Sequence, residues 1–316
     1  MINRILLRIK VIQILYSFYK GDKHNIEKVE AELFHSIEET YVLYCYLLHL
    51  VNCLTDYANE KLEKRKHAYV IHPHEHCPSV LFIKNRFVAQ LAANKELRKY
   101  IDKQGISWED HPVLIRTLYD EIVESDFYAQ YLKSKRINDT YKKDRDFWCH
   151  VFRKIFSESE MLTEELEEIS IYWNDDVEIV ISFIIKTIKL FEEDNGENQP
   201  LLPLFKDNED RVFVQELFRN AINHDVEYRN LIQEHAKNWE IDRLAFMDSI
   251  ILQAAIAEVC TFPTIPINVT INEYIEISKY YSTEKSSDFI NGILDSVANK
   301  LKEDNKITKI AYYTPN

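Results

Sequence analysis

Three groups of side chains in this sequence are of types that could do chemistry. The first is the string His72-Pro73-His74-Glu75-His76-Cys77. In an extended segment its alternate histidines point to one side, and imidazole with thiolate suits zinc. Structural zinc draws its ligands from two separated pairs, however, and no second His/Cys pair follows. The string is therefore read as a polar loop, with no metal assigned to it. The second group is Asp175-Asp176, two adjacent carboxylates that could hold Mg²⁺ if a phosphate-cradling motif stood beside them. None does, so the pair is read as the N-terminal cap and dipole complement of the apolar run Val177 to Phe191. The third is Arg4 with Arg8. At about 100° per residue both fall within the apolar arc of the first helix, where an unpaired guanidinium is costly. They must overhang the core, pair with carboxylates or meet a ligand.

The composition limits what these groups can serve. Four glycines, at 21, 105, 196 and 292, lie too far apart for G-x-G-x-x-G or a P-loop, so a dinucleotide or ATP enzyme is not expected. The net charge of −13 argues against a protein coated in nucleic acid, because phosphate binding is driven by cations. It leaves room for a local basic patch, and no acidic residue occurs before Asp22. Five scattered cysteines without C-x-x-C fit a reducing cytoplasm better than a disulfide framework. Arg4, Arg8 and Lys10 interrupt the apolar N-terminus, so neither a signal peptide nor a membrane span is expected.

Helices must carry all of this. Few glycines and eight prolines leave little material for turns, and helical periodicity recurs throughout. The expected order begins with a helix over 3–20, capped by Asn3 and stopped by Gly21, with Lys10, Gln13, Ser17 and Lys20 on a polar face. Helices over 26–37 and 40–66 follow. A long block then reads as helices over about 80–103, 112–134, 141–157, 161–170, 176–193 and 209–236. In the C-terminal part Asp248 caps an all-round apolar core helix to Cys260, which Pro263 and Pro266 end. Thr270 and Glu273 form a T-x-x-E capping box for the next helix, Ser286 caps the last, and Gly292 within it marks a close helix approach.

The run Ile265-Pro-Ile-Asn-Val-Thr-Ile-Asn-Glu-Tyr-Ile-Glu-Ile-Ser-Lys279, followed by Ser287-Asp-Phe-Ile-Asn-Gly-Ile-Leu-Asp295, resembles the C-terminal half of the NusB antitermination factors. Their usual pattern there is close to IP-x-x-VAINEAVELAK, then S-x-x-FVNGVLD. Asp248 to Glu258 is similar to that family's D-x-x-ILRLAIYE, with Gln253 where an arginine is common. At the other end, Ile12-Gln-Ile-Leu-Tyr16 is similar to the family's opening helix, although only Arg4 and Arg8 remain of its arginine cluster. The resemblance implies an all-α, NusB-like helical bundle carrying an inserted helical domain. Its expected parts are N-terminal helices over 1–66, an inserted helical region over 67–238, C-terminal helices over 239–302, and a tail over 303–316.

The resemblance also implies binding and no catalysis, without a cofactor. It points to recognition of single-stranded boxA RNA in nascent ribosomal RNA, jointly with the ribosomal protein NusE, within the antitermination complex on RNA polymerase. Carried over by motif, Arg4 and Arg8 are phosphate contacts, Tyr16 and Phe289 stacking or shape contacts, and Lys285 an added cation beside Phe289. For Tyr16 and Phe289 simple core packing is the competing reading. Asp248 and Glu258 match positions near the partner-binding side. The acidic balance and the thinned arginine cluster keep an alternative open, a helical scaffold that uses protein contacts with weak or no RNA binding.

Overall fold

The computed structural model describes residues 4–21, 25–67, 78–134, 140–236, 245–283, 285–307 and 309. The string His72–Cys77, Asn3, Trp239 and the end of the tail lie outside these described residues. Among the described residues every regular element is a helix, and the fold is all-α. The α-helices are α1 (Arg4–Lys20), α2 (Ile26–Lys66), α3 (Val80–Ile83), α4 (Arg86–Ala93), α5 (Lys95–Gln104), α6 (Pro112–Glu124), α7 (Asp126–Lys133) and α8 (Thr140–Val151). They continue with α9 (Glu160–Ile169), α10 (Val177–Leu190), α11 (Asn208–Asn223), α12 (Asp225–His235), α13 (Phe246–Thr261), α14 (Ile267–Tyr281) and α15 (Ser286–Glu303).

The chain forms two compact units, one from residues 1–37 with 205–316 and the other from 38–204. Sequence reading sets the inserted region at 67–238 instead. The difference has a packing cause, because α11 and α12 lie against α13 and so join the terminal unit.

In the terminal unit α13 is the central element, packed by α1, α11, α12, α14 and α15. That environment explains its sequence. Ile250, Ile251, Leu252, Ala254, Ala255, Ile256, Ala257 and Val259 are all buried, on every side of the helix. Helix α1 is also buried around its first turns, Lys10 included, since it meets α11, α13 and α14. The expected polar face therefore survives only toward its C-terminus, where Ser17 and Lys20 are exposed.

Local signals were overridden where long-range partners compete. Helix α14 starts at Ile267 with Pro266 at its N-cap, and Thr270 and Glu273 do not cap it. Both side chains turn toward other helices, as described below. Helix α13 begins at Phe246 after Ala245, and α15 begins at Ser286 after Lys285, so neither Asp248 nor Ser286 is an N-cap. Gly292 is exposed on α15.

The second unit breaks expected long helices at buried side-chain caps. The span 80–103 is three helices, because Asn85 accepts from the Val88 N–H at 3.1 Å and Asn94 from the Leu97 N–H at 2.9 Å. Ser125 divides 112–134 in the same way. Asn85 also donates to the Tyr131 hydroxyl, while Asp144 accepts from that hydroxyl and from the Arg86 N–H, each at 2.8 Å. This buried polar knot joins α4, α7 and α8. Asp176 occupies the N-cap position of α10 but makes no side-chain cap. It accepts instead from the Thr40 hydroxyl.

Candidate nucleic-acid interface

The functional side chains expected from sequence all lie in the terminal unit. Arg8, in the second turn of α1, is 3% exposed. Its Nε and Nη2 donate to the two carboxylate oxygens of Glu258 on α13, both at 2.8 Å, and Nη1 donates to Glu273 on α14 at 3.3 Å. Glu258 also accepts from the Thr270 hydroxyl at 2.9 Å and the Tyr274 hydroxyl at 3.2 Å. Every lone-pair direction of this buried carboxylate is thereby answered, which a buried charge requires. Burial alone would lower the Arg8 pKa; the hydrogen bonds and charge of Glu258, helped by Tyr274 and Glu273, outweigh it and raise it. Burial pushes the Tyr274 hydroxyl far up, so it stays a neutral donor to Glu258.

Arg8 is thus consumed inside the fold, and the phosphate contact expected of it is replaced by an ion pair. Glu258, expected near the partner side, is fully buried for the same reason. Asp248 is 5% exposed and accepts from Ser282 at 2.5 Å and Ser286 at 2.9 Å. It fastens the α14–α15 turn to the start of α13 and presents no free carboxylate. Phe289 is a core residue at 9% exposure, so packing prevails over stacking there.

Three expected contacts remain accessible. Lys285 is exposed at the start of α15. Arg4 is 36% exposed over the Phe213 ring, with Nε donating to Asp210 at 2.9 Å. Tyr16 is 36% exposed in the fourth turn of α1. Its ring meets Phe246, at the start of α13, edge to face at 5.3 Å, and Phe246 is itself 37% exposed. Lys20 Nζ lies 4.6 Å from the Phe246 ring centre and 5.8 Å from that of Tyr16. Among the described residues this is a surface of two aromatic faces and one cation.

Sequence reasoning missed Phe246 and Lys20. Lys20 was assigned to a polar face, and Phe246 precedes the recognisable motif, so neither carried a signal of its own. One turn further, Tyr19 lies under the Arg229 guanidinium at 4.9 Å and accepts from Gln253 at 2.6 Å. Gln253, standing where an arginine is common in the resembling family, is buried and also donates to the Ala221 carbonyl at 2.7 Å.

The arrangement has the character of a helical binding protein, with aromatic rings and cations at the surface and its buried charges neutralised within. Residues 178–299 match the profile of the NusB family. The chain is 34% identical over 132 residues to the transcription antitermination protein NusB of Salinibacter ruber, covering 40% of this chain and 82% of that protein. It is 42% identical over 114 residues to the same-named protein of Geobacter sulfurreducens, covering 34% of this chain and 83% of that one. Among solved structures it is similar to T. maritima NusB at 27% identity and a TM-score of 0.29, covering 46% of this chain and 89% of that one. The chain belongs to the NusB family. Its match begins at 178, inside the region that sequence reading gave wholly to an insertion.

Proposed function

We propose that this chain is a transcription antitermination factor that binds boxA-type single-stranded RNA of nascent ribosomal RNA together with the ribosomal protein NusE. It acts in the cytoplasm, as part of the antitermination complex on RNA polymerase, and by binding without catalysis. The observation that carries the reading is the exposed Tyr16–Phe246 pair with Lys20 beside it. Unpaired bases stack on such rings while cations hold the phosphates. Arg4 and Lys285 are further cations of the same unit, and Arg8 is a positioning residue that fixes α1 against α13 and α14.

A second reading has its own support. Arg4 and Arg8 both face carboxylates, so the chain retains less free positive charge on α1 than the resemblance implies, which favours a protein scaffold with weak RNA binding. Fluorescence anisotropy with labelled boxA RNA, with and without NusE, separates the two. Direct RNA binding that weakens roughly 5- to 100-fold in the Tyr16→Ala, Lys20→Gln double variant supports the RNA reading. Binding to NusE with no RNA affinity in either protein mixture supports the scaffold.

A further inference from the structure

The second unit carries a cationic surface that the RNA reading of the terminal unit does not use. Helix α8 and the π-type turn that follows it (Phe152–Phe156), taken with α10, hold seven Lys/Arg and three Asp/Glu, in a chain whose totals are 39 and 52. One of those three carboxylates, Asp144, is buried in the polar knot. At about 100° per residue, Lys142, Arg145, Asp146 and His150 share one arc of α8, opposite the buried Phe147, Trp148 and Val151, and exposed Arg153 follows in the π-type turn. Helix α10 packs on α8 and places exposed Lys186 and Lys189 alongside.

Helices α8 and α10 are joined directly. The Cys149 thiol lies 4.0 Å from the Ile185 carbonyl of α10. Burial, together with Asp146, pushes this thiol up to about 11, while Lys189, Arg153 and Arg145 act in the other direction. Arg145 has a structural task, donating to the Lys189 and Phe191 carbonyls at the C-terminus of α10. Among the described residues Arg153, Lys186 and Lys189 form no ion pair. Beside them Phe127, half-buried, lies 6.1 Å from the exposed His150 ring. Cations without carboxylate partners, next to partly exposed rings, are what a single-stranded nucleic acid engages.

We infer that the α8–α10 face of the second unit is a separate binding surface for the phosphate backbone of single-stranded RNA, with Arg153, Lys186 and Lys189 as its contacts. The inference rests on RNA being the ligand class of the terminal unit. It adds a sequence-independent contact to a sequence-reading one, which is how positioning and specificity are divided in nucleic-acid recognition.

The test uses the full chain and two labelled probes, a short boxA RNA and a uridine oligomer of about 30 nucleotides, longer than the roughly 4–16 that one single-strand module spans. The triple variant Arg153→Gln, Lys186→Gln, Lys189→Gln is expected to bind the uridine oligomer at least about tenfold more weakly at ~50 mM salt. Its salt slope should fall by about 2, at ~0.7 for each phosphate that is no longer neutralised. An unchanged melting temperature confirms the fold, and Arg153→Lys with Lys186→Arg and Lys189→Arg restores binding. Equal affinity of parent and triple variant for the oligomer at every salt concentration overturns the inference. So does equal RNA affinity combined with weaker retention on polyglutamate, which assigns the face to an acidic protein. Failure of the parent to bind boxA RNA, with the uridine result as expected, removes the terminal-unit reading and leaves this surface standing.

Discussion

Arg8 and Glu258, 250 residues apart in the chain, meet through two parallel hydrogen bonds of 2.8 Å. The bidentate geometry, with Glu273, Thr270 and Tyr274 completing it, joins α1, α13 and α14 at one buried point.

Removing one partner of such a pair leaves an uncompensated buried charge. Arg8→Ala is expected to destabilise the terminal unit by about 3–5 kcal/mol. Arg8→Lys should recover little of this, because an ammonium cannot make the two parallel bonds. Urea unfolding followed by circular dichroism measures both, and a midpoint equal to the parent's would refute the structural role given to Arg8.

Asp248 fastens the residues between α14 and α15 through Ser282 and Ser286. Hydrogen bonds to a charged acceptor contribute about 1.5–3 kcal/mol each, so Asp248→Ala should cost at least ~2 kcal/mol. Faster amide hydrogen exchange confined to residues 282–290 is the accompanying signature. Exchange unaltered there would mean that the turn is held by something else.

In the second unit, Asp144→Ala strips the acceptor from both the Tyr131 hydroxyl and the Arg86 N–H. The Tyr131 hydroxyl keeps the Leu81 carbonyl at 3.3 Å as an acceptor and the Arg86 N–H is part-buried, so the loss is expected at about 1–3 kcal/mol. Because α4, α7 and α8 share this knot, their protection against exchange should fall as one group. Loss limited to α8 would show that the knot does not couple them.

Glu30 gives a pH dependence. Burial would raise its pKa, but hydrogen bonds from Arg219 and Gln215, with the Arg219 charge, outweigh burial and hold it below the ordinary range. A carboxylate depressed in the folded state adds stability above its unfolded value of about 4.3 and loses it as pH falls through the folded value. The melting temperature of the parent should therefore drop more steeply below about pH 4.3 than that of Glu30→Gln. Parallel curves through that range would exclude Glu30 as a contributor.

What the sequence could reveal followed from how local each signal was. The all-round apolar run from Ile250 to Val259 reads as a central helix because burial on every side leaves no polar stripe, and α13 is that helix. The anomaly of Arg4 and Arg8 in an apolar arc was equally visible, and pairing with carboxylates was among the outcomes it allowed. Their partners Asp210, Glu258 and Glu273 were not visible, because such pairings depend on how distant helices pack. The same competition explains Thr270 and Glu273, whose spacing fits a capping box while their side chains answer Glu258 and Arg8. Asn85, Asn94 and Ser125 were isolated polar residues in helical runs, and each proved to be a cap because its side chain found a backbone N–H within three residues. In the candidate interface Tyr16 was legible through its motif. Phe246 became meaningful only when α13 brought it to the end of α1.

The Arg8–Glu258 bond also sets an order for synthesis. The terminal unit draws on residues 1–37 and 205–316, whereas the second unit is one unbroken stretch, 38–204. At ~5–20 residues per second a ribosome delivers Glu258 roughly 12–50 s after Arg8. Until α11, and then α13 and α14, are made, the first helix has its leucines, isoleucines and guanidinium without the helices of its own unit that it packs on. The stretch 38–204 can complete its own core in the meantime. Helix α1 is therefore made well before the helices it packs on, and a nascent chain stalled before α11 would expose an apolar helix for chaperones to hold.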